Sequence, residues 1–126
     1  MVFARVFGKR RLGEEGESAA EKFLRRRGFA IIERNFRCPL GELDLIALDR
    51  GTIVFVEVKA RSSEAFGTPA EAIGYQKRLR LRRAAEVYIS RKRLHDRPAR
   101  FDVVEVRWAD GQAHCELIAN AFDADR

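Results

Sequence analysis

Two apolar segments joined by a short turn constrain the fold of this chain most strongly. Residues 42–49 and 52–59 are rich in Leu, Ile, Val and Phe, a composition that favours β-strands. Arg50-Gly51 between them is a turn signal weaker than Asn-Gly but of the same kind. The pattern therefore predicts an antiparallel β-hairpin whose loop consists of these two residues.

The register of this hairpin places charged side chains together. If the two residues that flank the turn pair with each other, the same register sets Asp44 directly opposite Glu57 and Glu42 opposite Lys59. Because strand side chains alternate with period two, all four are predicted to project from one face. Like charges placed directly opposite each other destabilise a sheet. The two carboxylates therefore need a cation between them, a shared proton, or exposure to water.

A divalent metal ion fits this pair of carboxylates best. Hard oxygen ligands with few protein contacts favour Mg²⁺ or Mn²⁺, and water and a substrate phosphate then complete the coordination. Lys59 lies one step along the same predicted face. Its ammonium is expected near an attacking water or a phosphoryl oxygen, where it needs no metal of its own.

The Glu-Val-Lys tripeptide at residues 57–59 is a weak signal by itself, because such a sequence in a strand is most often a solvent-facing ion pair. Its surroundings favour a functional role. Valines fill one face of this strand, while Ile53 and Phe55 share the other face with Glu57 and Lys59. The strand is therefore apolar on both sides and is predicted to be central, and charges at the end of such a strand are costly unless they are used.

Two helices and three further strands are predicted outside the hairpin. The helices cover residues 14–27 and about 68–91, and the strands cover 29–35, 100–108 and 114–119. Gly28 should end the first helix, whereas Thr68, Pro69 and Glu71 supply a cap, a first-turn proline and a capping box for the second. The 126 residues, 46% of them hydrophobic, suit one domain. The prediction is a single α/β domain with a mixed central β-sheet flanked by helices.

Each predicted helix carries a charged residue on its apolar stripe. In the first helix, Glu17 lies three and seven residues before apolar positions and so extends the face that must meet the sheet. The alternative is a first-turn glutamate favoured by the helix dipole. In the second helix, Lys77 lies four residues before Leu81 on the buried stripe, flanked by Gln76 and Arg80. That lysine could extend to the surface, or it could reach a phosphate held at the carboxylates.

The chain is basic, with 25 Lys and Arg against 19 Asp and Glu and a net charge of +6. The excess is clustered at residues 9–11, 25–27, 77–83 and 91–93. Such clusters suit a polyanionic partner, although charge alone is equally compatible with a solvated basic surface.

Compartment and cysteine chemistry are predicted from what the sequence contains. Cys38 and Cys115 match no metal-ligand spacing and no disulfide framework. No segment has the length and apolar character of a signal-peptide core or of a membrane span. A cytoplasmic protein without a membrane partner is expected.

Six segments together resemble the YraN family, bacterial proteins placed by similarity in the PD-(D/E)XK nuclease superfamily near the archaeal Holliday-junction resolvases. They are GEEGESAAEKFL, RNFRCPLGELDLIA, VFVEVKAR, FGTPAEAIGYQKRLRL, RFDVVEV and IANAF. The resemblance runs from about Gly13 to Phe122 and implies a restriction-endonuclease-like core over those residues. The helix that follows the core hairpin in this family matches here at Gln76 and Lys77.

The resemblance also implies roles for individual residues. Asp44 and Glu57 match the metal-binding carboxylates, Lys59 matches the catalytic lysine, and Glu17 matches the acidic residue of the first helix. The chain departs from the superfamily pattern at one position, where Leu43 replaces the proline before the first carboxylate. That position is loosely kept in the superfamily.

These observations predict a Mg²⁺- or Mn²⁺-dependent DNA endonuclease. Asp44, Glu57 and the carbonyl of Val58 are expected to hold the ion. The basic helix is expected to contact the DNA backbone through Gln76, Lys77, Arg80 and Arg83. Since no base-reading motif is present, recognition by DNA shape and phosphate is expected, with branched DNA as a candidate substrate and a homodimer left open. The alternative is a nucleic-acid-binding module that keeps the fold without turnover; a structural partner protein would leave Glu17 and Lys77 unexplained.

Overall fold

The described part of the chain folds as a five-stranded mixed β-sheet with one helix on each face. A computed structural model describes residues 2–62 and 73–122, with side chains placed for 13–61 and 73–122. In chain order the elements are α1 (Val2–Arg26), β1 (Ala30–Cys38), β2 (Gly41–Asp49), β3 (Thr52–Ser62), α2 (Tyr75–Lys92), β4 (Ala99–Ala109) and β5 (Gln112–Phe122). The predicted α/β fold is confirmed, and the arrangement is consistent with a restriction-endonuclease-like core.

The strands follow one another across the sheet in chain order, from β1 to β5. Neighbours pair antiparallel except β3 and β4, which are parallel. A parallel pair needs a long crossover connection, and α2 lies within that connection. The predicted central position of β3 is confirmed.

Two of the three hairpin turns, β2–β3 and β4–β5, have a left-handed backbone at both loop residues. Arg50 and Gly51 have φ values of 52° and 88°, and Asp110 and Gly111 have φ values of 52° and 74°. These values match a turn whose twist suits the flanking strands. The Arg50-Gly51 turn predicted from the sequence is therefore confirmed.

The sheet separates two hydrophobic cores. On one face Ala20 and Leu24 of α1 pack against Val54, Val56, Val104 and Val106. On the other face Leu81, Ala84, Ala85 and Tyr88 of α2 pack against Ile53, Phe55, Phe101 and Val103. The two sets come from alternate positions of β3 and β4, so both strands are apolar on both sides. The buried stripe predicted for α2 is confirmed.

The helix boundaries differ from the sequence-based expectation at both starts. α1 begins at Val2 rather than Glu14, and it ends as predicted, with Gly28 at φ 93° and a hydrogen bond from Phe29 N to Leu24 O at 3.0 Å. α2 begins after Gly74, an extended N-cap residue at φ −75° and ψ 171° without a side-chain cap. The predicted start at Thr68 is wrong for α2, since glycine in a helix interior costs about 1 kcal/mol relative to alanine and the helix starts beyond it. Thr68, Pro69 and Glu71 themselves lie outside the described residues.

Two contacts fix α1 against the sheet. A Cβ atom added to Gly16 would lie 2.9 Å from the Cβ of Ala60, so the helix approaches β3 more closely than any other residue type allows. One turn further along, Glu21 binds Arg34 of β1 through two guanidinium nitrogens, a geometry that sets orientation as well as contact.

Neither helix has a stretch within the described residues that is long and apolar enough to cross a bilayer.

Candidate metal centre

β2 and β3 separate at Asp44. Their ladder runs from the turn to the pair Leu45 and Val56 and ends there. Leu43 packs in the α2-facing core, whereas Leu45 packs in the α1-facing core, so the side-chain alternation of β2 breaks at the residue between them. The predicted register is confirmed up to Leu45 and is wrong beyond it, because Asp44 has no paired strand position opposite it on β3.

A side chain bridges the gap where the ladder ends. The backbone N–H of Val58 donates a hydrogen bond of 2.9 Å to Oδ2 of Asp44. The carboxylate thus takes the acceptor role that a β2 carbonyl would have in a continued ladder. Hydrogen bonds of this kind to an ionised acceptor are stronger than neutral ones, so Asp44 is fixed against β3 beside Glu57.

Glu57 is buried, with 7% of its surface exposed. Burial and the nearby carboxylate of Asp44 raise its pKa to about 7, because both disfavour the ionised form. Two lysines act in the opposite direction, Lys77 more than Lys59. Lys77 Nζ lies 3.5 Å from Glu57 Oε1, so this lysine of α2 does reach the carboxylates.

Burial also raises the pKa of Asp44, and the Val58 N–H bond and the charge of Lys77 oppose that rise. Side-chain hydrogen bonding between Asp44 and Glu57 contributes to both titrations. Of the three ways to tolerate the pair, exposure to water is therefore ruled out for Glu57. A shared proton or a cation remains.

The first helix brings a third carboxylate to the same place. Glu17 is partly buried, and its pKa is raised by burial and then by the charges of Asp44 and Glu42. The close approach of Gly16 to Ala60 holds this turn of α1 against the end of β3. The predicted position of Glu17 at the site, rather than at a solvated first turn, agrees with this geometry.

The carboxylates line an open cleft of about 530 Å³. Its walls include Glu17, Asp44, Glu57, Val58 and Lys59. All of the residues predicted from the hairpin and from the first helix thus meet in one place. Lys59 is partly buried there and is close enough to lower the pKa of Glu57.

The predicted pairing of Glu42 with Lys59 does not form. Glu42 lies opposite Arg37 of β1, and its Oε2 is 3.6 Å from the Arg37 Nε. The reason is the end of the β2–β3 ladder at Leu45, which leaves Glu42 with a partner on only one side. Lys59 is not engaged by that carboxylate.

Two polar residues of the cleft wall were not predicted from the sequence, Asn35 and Arg37. Asn35 has φ 51°, a conformation in which asparagine is enriched. It lies on β1 beside Asp44, the residue at which the side-chain alternation of β2 breaks. The predicted first strand ended at residue 35, whereas β1 continues to Cys38. A longer first strand would have placed Arg37 opposite Glu42.

The remaining predicted contact residues lie on α2 outside the cleft lining. Gln76, Arg80 and Arg83 are exposed, whereas Lys77 is 38% exposed and turned toward Glu57. Arg80 also marks a close approach between elements, since a Cβ on Gly41 would lie 2.9 Å from the Arg80 carbonyl oxygen. The helix is therefore held against the tip of the β1–β2 hairpin with its arginines outward.

The donor set fits a hard divalent cation with few protein ligands. Among the described residues no three His, Cys, Asp or Glu side chains come together as a self-sufficient metal site. Asp44 and Glu57 offer oxygen atoms, and Val58 lies in the same wall. Mg²⁺ keeps several waters and is often bound by one or two carboxylates, and the raised pKa of both acids marks negative charge that a cation would neutralise.

Comparison with known proteins assigns the family. A profile described as "Uncharacterised protein family UPF0102" matches residues 16–106. The chain belongs to UPF0102. This confirms the YraN-family resemblance. The UPF0102 span contains Glu17, Asp44, Glu57 and Lys59 together with the basic helix.

UPF0102 relatives match most of the chain over nearly all of their own length. A UPF0102 protein of Moorella thermoacetica is 50% identical over 117 residues, which cover 90% of this chain and 97% of the relative. One from Symbiobacterium thermophilum is 52% identical over 116 residues, covering 91% and 98%. A third, from Clostridium acetobutylicum, is 48% identical over 115 residues, covering 90% and 94%. Their names give the UPF0102 family and no activity.

Proposed function

We propose that this UPF0102 protein is a Mg²⁺- or Mn²⁺-dependent endonuclease that hydrolyses phosphodiester bonds in DNA. The observation that carries the proposal is the Asp44 carboxylate, held by the Val58 N–H at 2.9 Å beside the buried Glu57. Two acids whose pKa values are both raised, in one open cleft with a lysine, are the arrangement expected where a cation and a phosphate bind.

Each residue has a role in this reaction. Asp44, Glu57 and the Val58 carbonyl would hold the cation, which supplies Lewis-acid chemistry by polarising the phosphate and acidifying water. Lys59 orients the attacking water and stabilises the negative charge that develops on the phosphate. Water adds to phosphorus, the bond from phosphorus to the leaving oxygen breaks, and that oxygen takes up a proton from solvent water in the open cleft. Glu17 lines the same cleft, where it can accept a proton from the water.

The substrate proposal rests on charge and on exposed side chains. Arg80 and Arg83 project from α2 into solvent, and the chain carries a net charge of +6. Phosphate contacts of this kind give affinity without reading bases, so a structured or branched DNA recognised by shape is the candidate substrate, with one or two copies of the chain bound. The free thiols of Cys38 and Cys115 support the cytoplasm as the compartment.

Cleavage of a DNA panel with and without Mn²⁺ tests the proposal. Four-way, flap and linear duplexes are incubated with the wild type and with Asp44→Asn, which keeps an acceptor for Val58. Asp44→Asn should hold or raise the melting temperature without metal, because it removes one of two like charges, and it should lose both Mn²⁺-induced stabilisation and cleavage. If Mn²⁺ stabilised Asp44→Asn as much as the wild type, the proposed metal site would be wrong.

Lys59→Ala separates chemistry from ion binding. Since Lys59 is not a ligand, this variant should keep Mn²⁺-induced stabilisation and lose cleavage.

The second candidate is a nucleic-acid-binding module without turnover, which the exposed arginines of α2 favour. Metal-independent binding of the same DNA panel, with no cleavage of any member in Mg²⁺ or Mn²⁺, would select it. An intact set of Asp44, Glu57 and Lys59 favours the enzyme, because buried like charges cost stability that a binding module does not need.

A further inference from the structure

The contact between Lys77 and Glu57 is not accounted for by the roles proposed above. Lys77 Nζ lies 3.5 Å from Oε1 of Glu57, which is only 7% exposed. We propose that Lys77 is the resident counter-ion of Glu57 and exchanges with the divalent cation, so that metal binding releases the ammonium toward the substrate phosphate. The inference rests on the proposed metal site and adds an order of events to it.

The geometry favours exchange over a permanent pair. A distance of 3.5 Å is within ion-pair range but longer than the 2.7–3.2 Å of a good hydrogen bond, as a general range. The Lys77 side chain is 38% exposed, so its ammonium has a solvated position to move to. Its four-carbon stem allows that movement without displacing α2.

Charge makes the two cations competitors. A Mg²⁺ ion binds a carboxylate oxygen at about 2.1 Å, so an ion on Glu57 Oε1 would lie within about 6 Å of the Lys77 ammonium if that ammonium did not move. Repulsion between like charges at this separation is large in a partly buried site. The ammonium is therefore driven from Glu57 toward the nearest anion, which in a substrate complex is the phosphate.

This exchange couples two binding events. If metal binding frees Lys77 for phosphate, then the bound metal raises the affinity for phosphate. Because linkage is reciprocal, bound phosphate must raise the affinity for the metal by the same factor. Lys77 is in this sense a positioning residue for the metal ligand and a phosphate contact only after release.

The inference can be tested without a cleavage assay, by measuring the Mn²⁺ affinity of the DNA-free protein by calorimetry. Lys77→Met should bind Mn²⁺ about fivefold more tightly than the wild type, the equivalent of removing one partly exposed ion pair. Lys77→Arg keeps the charge and should stay within about twofold of the wild type on the same reasoning. Lys92→Met is the matched control, since it makes the same change at the far end of α2, roughly 22 Å along the helix axis, and its affinity should not change.

Two readouts complete the test. In NMR spectra of protein with ¹³C-labelled lysine side chains, Mg²⁺ should shift the Lys77 Cε signal, and inorganic phosphate should shift it again only when Mg²⁺ is present. The exchange would be overturned by equal Mn²⁺ affinity in the wild type and Lys77→Met, or by a Lys77 Cε signal that does not shift when Mg²⁺ is added. Neither result would contradict the endonuclease proposal. Absence of any Mn²⁺ binding by the wild type would overturn both.

Discussion

Glu57 combines burial, a neighbouring carboxylate and a lysine contact in one side chain. Burial and Asp44 raise its pKa, and Lys77 and Lys59 lower it, with a result of about 7. A buried acid is either protonated and neutral or ionised and paired. With a pKa of about 7, Glu57 is close to equally populated in the protonated and ionised forms near neutral pH. Small changes in its surroundings therefore decide whether it is available as a metal ligand.

Stability without metal should fall as pH rises toward 8. The folded pKa of Glu57, about 7, exceeds the reference value of 4.5, so its contribution to the free energy of unfolding is fully present below pH 4.5 and is lost as pH rises through about 7. Urea unfolding from pH 4.5 to 8 should show this loss in the wild type and a flatter profile in Glu57→Gln. Parallel profiles for the two proteins would contradict the assignment.

Among the elements, the β-strands were predictable and the end of one ladder was not. Alternating apolar residues and Arg50-Gly51 predicted the hairpin, and apolar residues on both sides of β3 predicted its central position. The ladder ends at Leu45 because the next residue, Asp44, turns its carboxylate to a backbone N–H fourteen positions away, at Val58. Sequence patterns describe local periodicity and do not contain such a contact.

The helix starts show the same limit. Thr68 and Glu71 form a good local capping signal, yet α2 starts after Gly74, which has no side-chain cap. Its start is compatible with packing, since Ile73 is buried in the α2-facing core directly before it. For the candidate site, local spacing was sufficient to select Glu17 and Lys77, because both lie on helix stripes that must face the sheet.

Gly16→Ala should separate α1 from β3. The added Cβ would meet the Cβ of Ala60 at 2.9 Å, and overpacking of this kind costs about 1–3 kcal/mol, which exceeds the gain in helix propensity. Gly13→Ala is the control, because nothing lies within 4 Å of its added Cβ and alanine should stabilise the helix by up to about 1 kcal/mol.

Urea unfolding measures both changes. Gly16→Ala should also slow any cleavage, since it moves Glu17 away from the carboxylates, whereas Gly13→Ala should not. If both variants gain stability alike, then α1 does not lie tightly on β3.

Across the whole molecule, the carboxylates and the arginines Arg80 and Arg83 occupy different surfaces. The acids line the cleft where β2 and β3 separate, and these two arginines are exposed on α2, whose other side is buried against the sheet. In the proposed reaction, a nucleic-acid backbone long enough to contact both would be bound by the α2 arginines and cleaved at the carboxylate cleft. Affinity and turnover should respond to different substitutions.

Replacing Arg80 and Arg83 together with alanine should weaken binding to all DNA sequences alike. On duplex DNA, log K falls by about 0.9 per phosphate neutralised as log salt rises, so the double variant should flatten that slope by about one to two units. Fluorescence anisotropy over a salt series measures it.

Arg50→Asn serves as the control. It removes one exposed charge at the hairpin turn, remote from the cleft, with a residue that accepts the φ of 52° found there. A near-zero slope for the wild type, or unchanged binding by the double variant, would show that the basic surface is only solvated.

The double use of Asp44 restricts how this protein can change over evolutionary time. Its carboxylate is both a candidate metal ligand and the acceptor that closes the sheet against the Val58 N–H, so losing the acceptor exposes an unsatisfied backbone donor as well as removing an ion site. A lineage that abandons catalysis should therefore lose Glu57 or Lys59 first and keep Asp or Asn at position 44. In such a descendant the surviving first acid would be evidence of ancestry and of folding, and would say nothing about activity.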